Sequence, residues 1–230
     1  MPKPAFRPPQ PPGAPVSPYL AAGFYDRALA QGRHRQITGG WWEETGRLQL
    51  DLLRGAGLQP GHRLLDIGAG ALRLGCKAVP YLDPGHYWAT DASGALMRRG
   101  WQVELADRDR LPLRQLIEDA GFALPGVPGD IDFAIAFAVF THLPPDCLAQ
   151  ALASLRARCP ALRGFLFTVF LPPSADRPRR GDDAVTHPDR PPRHVAAGSV
   201  GATCAAQGYV LTIRPDRLPR GQTLCLATPA

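Results

Sequence analysis

The 230-residue sequence predicts an α/β protein built on a doubly wound, mostly parallel sheet. From residue 61 onwards, short apolar runs typical of buried strands alternate with segments of helical periodicity. The first apolar run, residues 63–67, leads directly into a turn with Gly68 and Gly70 at alternate positions. In open α/β sheets, a turn at the carboxyl end of the first strand is where ligands bind.

The first 60 residues precede this alternation and divide into two parts. Residues 1–18 contain eight prolines, which exclude a packed helix or a central strand, so we expect a disordered arm. Apolar residues at helical spacing predict helices over 19–30 and 42–56. We therefore expect residues 19–60 to form a helical cover and residues 61–230 to form the main domain.

The main domain is predicted to alternate strands and helices. The strands are expected at residues 62–67, 86–91, 114–118, 131–137, 163–170, 208–213 and 222–228, and the helices at 71–80, 93–105, 145–158 and 195–207. The third strand is ambiguous, because residues 113–117 also fit a helix. Residues 172–194 are rich in proline and charge, so we expect a loop insertion there, on the ligand side of the sheet.

The first turn carries the clearest chemical signal. Two glycines at alternate positions let the backbone pass close beneath a ligand, where a Cβ atom would collide. A dinucleotide-binding fingerprint would need a further glycine at position 73, which is arginine. Asp66 would also repel a pyrophosphate, whereas it suits a ligand with a cationic group.

Residues 63–70 resemble motif I of the class I S-adenosylmethionine-dependent methyltransferases, in which two hydrophobic residues precede Asp-hydrophobic-Gly-x-Gly-x-Gly. Leu72 stands where the family has its third glycine. Residues 86–91 read as a second strand ending in Asp91, at the spacing where a carboxylate meets ribose hydroxyls. Residues 131–143 and 164–170 are similar to the family's fourth strand with its loop and to its fifth strand.

The resemblance extends over residues 34–228 to a largely uncharacterised bacterial group within this family. It includes the segments Gly39-Gly40-Trp41-Trp42-Glu43 and Pro219-Arg220-Gly221-Gln222. It implies a Rossmann-like, seven-stranded sheet with an antiparallel last strand, and S-adenosyl-L-methionine as the cofactor. The cofactor-binding positions that it implies are Asp66, Gly68, Ala69, Gly70, Asp91, Ala92, Asp119, Phe122, Phe137 and Phe140.

Several of these residues have a second interpretation. Asp66 is expected near the methionine amino group, but it also fits a turn at the end of a strand. Asp91 is expected on the ribose, but it also fits a helix cap before Ser93. Asp119 and Phe122 lie where the family commonly has an acid and an apolar residue near the adenine. Phe140 fits either an adenosine contact or a core aromatic.

His142 directly follows the fourth predicted strand and is the candidate general base, should the acceptor carry a proton that has to leave. A hydrogen-bonded structural histidine fits the same position. The Asn/Asp-Pro-Pro-Tyr/Phe signature of enzymes that methylate the amines of nucleic-acid bases is absent, since residues 138–141 read Ala-Val-Phe-Thr. A small molecule, a glycan or a peptide is therefore expected as the acceptor ahead of a nucleic acid.

Composition and charge set the remaining limits. The net charge of +6 comes from basic residues scattered along the chain, without the interleaved aromatic residues that favour base stacking. No window approaches the roughly 18 apolar residues of a membrane span, and prolines stand where a signal peptide has its apolar core, so we expect a cytoplasmic protein. The five cysteines include no C-x-x-C pair, which predicts reduced thiols and no metal site.

Two functions from different classes follow. The first is a methyltransferase that uses S-adenosylmethionine and an oxygen or nitrogen acceptor. The second is a methyltransferase-like binding or scaffold subunit with weak or no turnover, prompted by Leu72 and by the lack of a clear base. A nicotinamide-dependent oxidoreductase is disfavoured by Asp66 and Arg73.

Overall fold

The computed structural model describes residues 24–172, 179–181, 184–216 and 218–230, together with the single residue Ser17. The rest of the predicted proline-rich arm lies outside the described residues. The described strands, in chain order, are β1 Leu64–Ile67, β2 Tyr87–Asp91, β3 Leu116–Glu118, β4 Phe133–Ala136, β5 Gly164–Val169, β6 Arg179–Gly181, β7 Ala184–Thr186, β8 Tyr209–Ile213 and β9 Thr223–Pro229.

Seven of these strands form one twisted sheet in the order β3-β2-β1-β4-β5-β9-β8. Strands β1 to β5 are parallel to their neighbours, whereas β9 runs antiparallel to both β5 and β8. Strands β1, β4 and β5 are buried at every position, because helices cover both faces of the sheet. The predicted fold class, including the antiparallel last strand, is confirmed.

The helices are α1 Phe24–Ala30, α2 His34–Ile37, α3 Trp42–Gly55, α4 Gly75–Tyr81, α5 Gly94–Val103, α6 Asp146–Arg158 and α7 Ala197–Ala206. α4 begins four residues later than the prediction of 71–80. The physical reason is Leu72, whose φ of 63° is left-handed and cannot continue a right-handed helix. Short α2 was not predicted, and residues 19–23 of the predicted first helix lie outside the described part of the chain.

Two ambiguous segments take mixed forms. Residues 113–115 form a single 3-10 turn that leads into β3, so the helical and strand interpretations each fit part of this segment. Residues 172–194, predicted as a loop insertion, contain the two-stranded antiparallel hairpin β6–β7. His194 connects the insertion to the main sheet through a bridge with Phe170, directly after β5.

All five cysteines are free, and four of them are buried. Among the described residues, no helix combines the length and the apolar character that crossing a bilayer requires.

Candidate functional site

The turn after β1 depends on glycine at two positions. Gly68 has φ of 74° and Gly70 has φ of 57°, a conformation that other residues adopt only with strain. A Cβ atom on Gly68 would collide with the Val139 side chain, and one on Gly70 would lie 2.6 Å from Cγ2 of Thr38. The glycines therefore let the loop after β4 and the segment before α3 approach the turn closely.

Leu72, at the position of the motif's third glycine, has a left-handed backbone conformation. Its φ of 63° is the conformation that glycine adopts readily, and its side chain is fully buried. Close packing over the turn comes instead from α5, where a Cβ atom on Gly100 would overlap the carbonyl group of Ala71. The structure therefore accommodates Leu72 in a strained, left-handed conformation, and Gly100 on α5 lets this helix approach the turn closely.

Asp66 lies near the end of β1 with only 3% of its surface exposed. The hydroxyl of Tyr87 on β2 donates a hydrogen bond of 2.6 Å to Oδ2 of Asp66. Burial raises the pKa of Asp66 to about 7, although the Tyr87 hydrogen bond and the charge of Arg73 oppose this change. The carboxylate is therefore held in one orientation, at the cost of desolvation.

Asp91 forms the tip of β2 and connects two loops. Its Oδ2 accepts from the Gly70 amide and its Oδ1 from the Ser93 amide, both at 2.9 Å. Burial raises the pKa of Asp91 to about 6 in spite of these two hydrogen bonds. The cap of α5 is supplied by Ser93, whose Oγ accepts from the Leu96 amide, so Asp91 itself is not the helix cap.

A cavity of about 400 Å³ opens above this turn, within the size range of small-molecule sites. It brings together nine of the ten positions expected to bind the cofactor, as well as His142. These residues are Asp66, Gly68, Ala69, Gly70, Asp91, Ala92, Asp119, Phe122 and Phe137. Phe140, the tenth, is not among the lining residues; it packs edge-to-face against Phe165 and Phe167 in the core.

Asp119 shapes the wall of the cavity next to β3. Its two carboxylate oxygens accept hydrogen bonds from the amides of Gly121, Ala123 and Leu124. These bonds hold a tight turn in which Phe122 has φ of 56° and faces the cavity. Asp119 thus has a structural role in addition to its position on the cavity wall.

His142 lies in the loop after β4. Burial and, to a smaller extent, the nearby charge of Arg220 lower its pKa to about 4, so the imidazole is neutral at neutral pH. The same loop is fixed by Thr168, whose Oγ1 accepts from the Ala138 amide at 2.7 Å and donates to Gln222 at 2.6 Å. A neutral histidine in a fixed loop can accept a proton, although this low pKa makes it a weak base.

Residues far from the motif complete the cavity, and sequence reasoning did not assign them to it. Tyr25 and Ile37 contribute from α1 and α2, and Val185 and Arg220 contribute from the hairpin and the segment before β9. The hydrogen bond from Tyr87 to Asp66 was not predicted either, because in the sequence Tyr87 is only one of several residues of a buried strand. No local signal marks these residues, since their positions depend on contacts between distant elements.

Backbone strain is concentrated at this site. The described residues include six non-glycine residues with positive φ, and four of them line the cavity: Trp41, Phe122, Ala138 and Arg220. Such conformations are typical of binding and catalytic sites, where the surrounding structure maintains them.

No protein-family model and no curated protein matches the chain. Solved structures do match. A magnesium protoporphyrin IX methyltransferase (ChlM) from Synechocystis PCC 6803 with bound S-adenosylmethionine is 15% identical over 93% of this chain and 95% of its own, with a TM-score of 0.60. A 1,6-didemethyltoxoflavin-N1-methyltransferase from Burkholderia thailandensis, with its acceptor and S-adenosylhomocysteine bound, is 18% identical over 94% of both chains, with a TM-score of 0.60.

The glycopeptide N-methyltransferase MtfA is 14% identical over 84% of this chain and 92% of its own, with a TM-score of 0.58. At these identities the likeness concerns the fold. The chain has the fold of the class I S-adenosylmethionine-dependent methyltransferases.

Proposed function

We propose that this protein is an S-adenosylmethionine-dependent methyltransferase that transfers a methyl group to an oxygen or nitrogen atom of a small molecule, a glycan or a peptide. The observation that carries the proposal is the arrangement of Asp66 and Asp91. These buried carboxylates lie on neighbouring strands and line the same cavity above the glycine turn. Similar solved structures that contain S-adenosylmethionine or S-adenosylhomocysteine support the choice of cofactor.

The cavity residues fit this cofactor by charge and shape. When bound, the cofactor would be held by residues that line this cavity. Gly68, Ala69 and Gly70 would hold the methionine portion, and Asp66 would accept from its ammonium group. Asp91 would accept from the ribose hydroxyls, and Ala92, Asp119, Phe122 and Phe137 would hold the adenine. An ammonium group beside Asp66 offsets the desolvation that raises the pKa of this carboxyl group in the free protein.

When bound, the cofactor would supply a methyl group on a sulfonium: the acceptor's lone pair would form a bond to the methyl carbon as the carbon–sulfur bond breaks and S-adenosylhomocysteine leaves. The protein then has to align the acceptor and exclude water. We propose that α1 to α3 act as the cover that excludes water, because Tyr25, Ile37 and Trp41 line the cavity from this side. His142 accepts the proton from acceptors that have to lose one, since its imidazole is neutral above a pH of about 4.

The acceptor is assigned to the part of the cavity next to His142. Arg220, which also lines the cavity, lies close enough for its charge to act on His142, and Trp41 and Val185 add apolar surface to the same cavity. Two of the similar proteins are named as methyltransferases of 1,6-didemethyltoxoflavin and of a glycopeptide, which supports both small-molecule and peptide or glycan acceptors.

Calorimetric titration with S-adenosylhomocysteine tests the cofactor site. We expect the wild type to bind this product and not NAD. Asp91→Ala should weaken its affinity roughly 10- to 100-fold, as expected for loss of a charged hydrogen-bond acceptor. Asp109→Ala, which removes an exposed carboxylate outside the cavity, should bind like the wild type. Equal affinities of the wild type and Asp91→Ala would disprove the ribose assignment.

Turnover separates the enzyme from a scaffold subunit. Radioactive methyl groups from labelled S-adenosylmethionine should be transferred into a cell extract by the wild type, and transfer should be lost in a variant that no longer binds the cofactor. Binding of S-adenosylhomocysteine without any transfer would favour the scaffold function, which the weak basicity of His142 leaves open.

A further inference from the structure

Arg73 is a buried cation that faces the candidate cofactor site. It follows Leu72 just after the glycine turn, lines the cavity together with Asp66, and is only 9% exposed. Its Nη1 donates to the carbonyl oxygens of Thr38 at 2.7 Å and Gly40 at 3.2 Å. Its Nε is fully buried and has no hydrogen-bond partner among the described residues.

The guanidinium also lacks a counter-ion. Within the described ranges, no carboxylate lies at ion-pair distance from Arg73; Asp66 attracts it only through space, and Arg220 repels it. Burying a cation without a partner is costly, and removing one partner of a buried pair destabilises a protein for the same reason. Carbonyl oxygens satisfy one nitrogen but supply no full negative charge. The charge of Arg73 is therefore not neutralised by a carboxylate in contact with it among the described residues.

We infer that Arg73 binds the carboxylate of the methionine portion of the cofactor, an inference that rests on the proposed function. In an amino acid, the ammonium and the carboxylate are attached to one carbon atom, so their partners have to face the same end of the site. Asp66 and Arg73 line one cavity and are close enough to interact electrostatically, which is consistent with this requirement. The planar, forked guanidinium is also the side chain best suited to a carboxylate.

Arg73 also connects the carboxylate to the cover. The carbonyl groups that it holds belong to Thr38 and Gly40, immediately before α3, and Gly39 between them accepts from Arg220. A carboxylate that fixes the guanidinium would also fix this segment over the glycine turn. Binding of the amino-acid portion should therefore slow hydrogen exchange in residues 38–42.

A purely structural role for Arg73, tying the cover to the turn, predicts a different outcome. In that case loss of the guanidinium would weaken all nucleoside ligands equally, because the cover would close poorly over any of them. Two probes separate the two roles: S-adenosylhomocysteine, and 5′-methylthioadenosine, which keeps the nucleoside and the thioether but lacks the amino-acid portion.

The dissociation constants of both probes are measured by calorimetry for the wild type and for Arg73→Gln. We expect Arg73→Gln to bind S-adenosylhomocysteine roughly 10- to 100-fold more weakly, the effect of a hydrogen bond to a charged group. Its affinity for 5′-methylthioadenosine should fall only several-fold at most, because for this probe only the contacts of Arg73 with Thr38 and Gly40 are lost. Arg73→Lys, which keeps the charge and loses the fork, should fall between the two for S-adenosylhomocysteine.

Arg110→Gln is the matched control, because Arg110 also donates to backbone carbonyls, those of Val79 and Leu82, without lining the cavity. It should leave both affinities unchanged. Equal weakening of both probes by Arg73→Gln, or no weakening of S-adenosylhomocysteine, would overturn the inference while leaving the proposed function intact. Failure of the wild type to bind either probe would instead overturn the proposed function.

Discussion

At the scale of single residues, the site is built on carboxyl groups that are buried before any ligand is bound. Asp66 is 3% and Asp91 is 7% exposed, and burial raises the pKa of both groups above its usual value near 3.8. Two buried acids that also repel each other reduce the stability of the free protein. The molecule tolerates this cost because Tyr87, Gly70 and Ser93 supply hydrogen bonds to these oxygens.

The cost of Asp66 should be visible in the pH dependence of stability. Below pH 4 both the folded and the unfolded states hold the proton, so there is no penalty. Between pH 4 and about 7 the unfolded state releases the proton while the folded state retains it, so the free energy of unfolding falls as pH rises and stays low above pH 7. Each pKa unit corresponds to about 1.4 kcal/mol.

Asp66→Asn removes the ionisation and keeps an oxygen that can accept from Tyr87. The free energy of unfolding of this variant, minus that of the wild type, should increase by roughly 2–3 kcal/mol when the pH is raised from 5 to 8. Urea unfolding of the ligand-free proteins at both pH values measures the gain. Asp109→Asn, at an exposed position, serves as the control. Parallel pH profiles for the wild type and Asp66→Asn would contradict a folded-state pKa near 7.

How far the site can be predicted from the sequence depends on whether a residue's role is local. Asp66, Gly68 and Gly70 follow from one strand and its turn, and Asp91 from a spacing along the chain. Arg73 was not predicted as a site residue; it counted against a dinucleotide site and belonged to a segment that resembles the bacterial methyltransferases. Its contacts with Thr38 and Gly40, 35 and 33 residues away, arise from tertiary packing that no local pattern contains.

At the scale of elements, helix α5 packs directly against the glycine turn, and the contact is made at Gly100. The helix and the turn approach so closely that only glycine fits at position 100, because a Cβ atom there would overlap the carbonyl group of Ala71. A backbone carbonyl cannot move aside as a flexible side chain can. Gly100 on α5 therefore permits the close contact between this helix and the glycine turn.

Gly100→Ala should therefore destabilise the protein by about 3 kcal/mol or more, as expected for overpacking against backbone. Gly201→Ala is the matched control within α7, where an added Cβ atom meets no other atom within 4 Å. Because alanine favours helix over glycine, this control should be more stable by up to about 1 kcal/mol. Chemical denaturation measures both. Similar changes in the two variants would disprove the close contact with Ala71.

The elements themselves could be predicted where hydrophobic patterning dominates. Buried strands such as β4 and β5 are continuous apolar runs, and their positions were confirmed within one or two residues. The start of α4 was missed because the sequence gives no sign that Leu72 is left-handed. The β6–β7 hairpin was missed because its strands have three residues each, too few for a periodic pattern.

At the scale of the whole molecule, the order of strands and helices was predictable, whereas the attachment of the cover was not. Apolar residues of α3 such as Leu53 pack into the core, and further contacts of the cover come from charged residues that lie far apart in the sequence. Glu104, at the end of α5, accepts from His34 at 2.7 Å and from both Nε and Nη2 of Arg35. Lys77 on α4 pairs with Glu43 on α3 at 2.6 Å. Ion pairs of this kind leave no hydrophobic pattern in the sequence.

If the cover closes the cavity, loosening it should affect ligand binding more than the core. Glu104→Gln removes the charge and the two-pronged contact with Arg35, and should lower the free energy of unfolding by only about 1–2 kcal/mol. Hydrogen exchange in residues 34–42 should become at least roughly tenfold faster, because this region then opens without global unfolding. The affinity for S-adenosylhomocysteine should fall several-fold.

Asp51→Asn provides the comparison, because it also removes the acid from an arginine ion pair. Asp51 and Arg54 are both largely exposed on α3, so their pair contributes little. This variant should match the wild type in exchange of residues 34–42 and in affinity. If Glu104→Gln instead speeds exchange equally across β1, β4 and the cover, then the cover unfolds with the core and does not move as a separate lid.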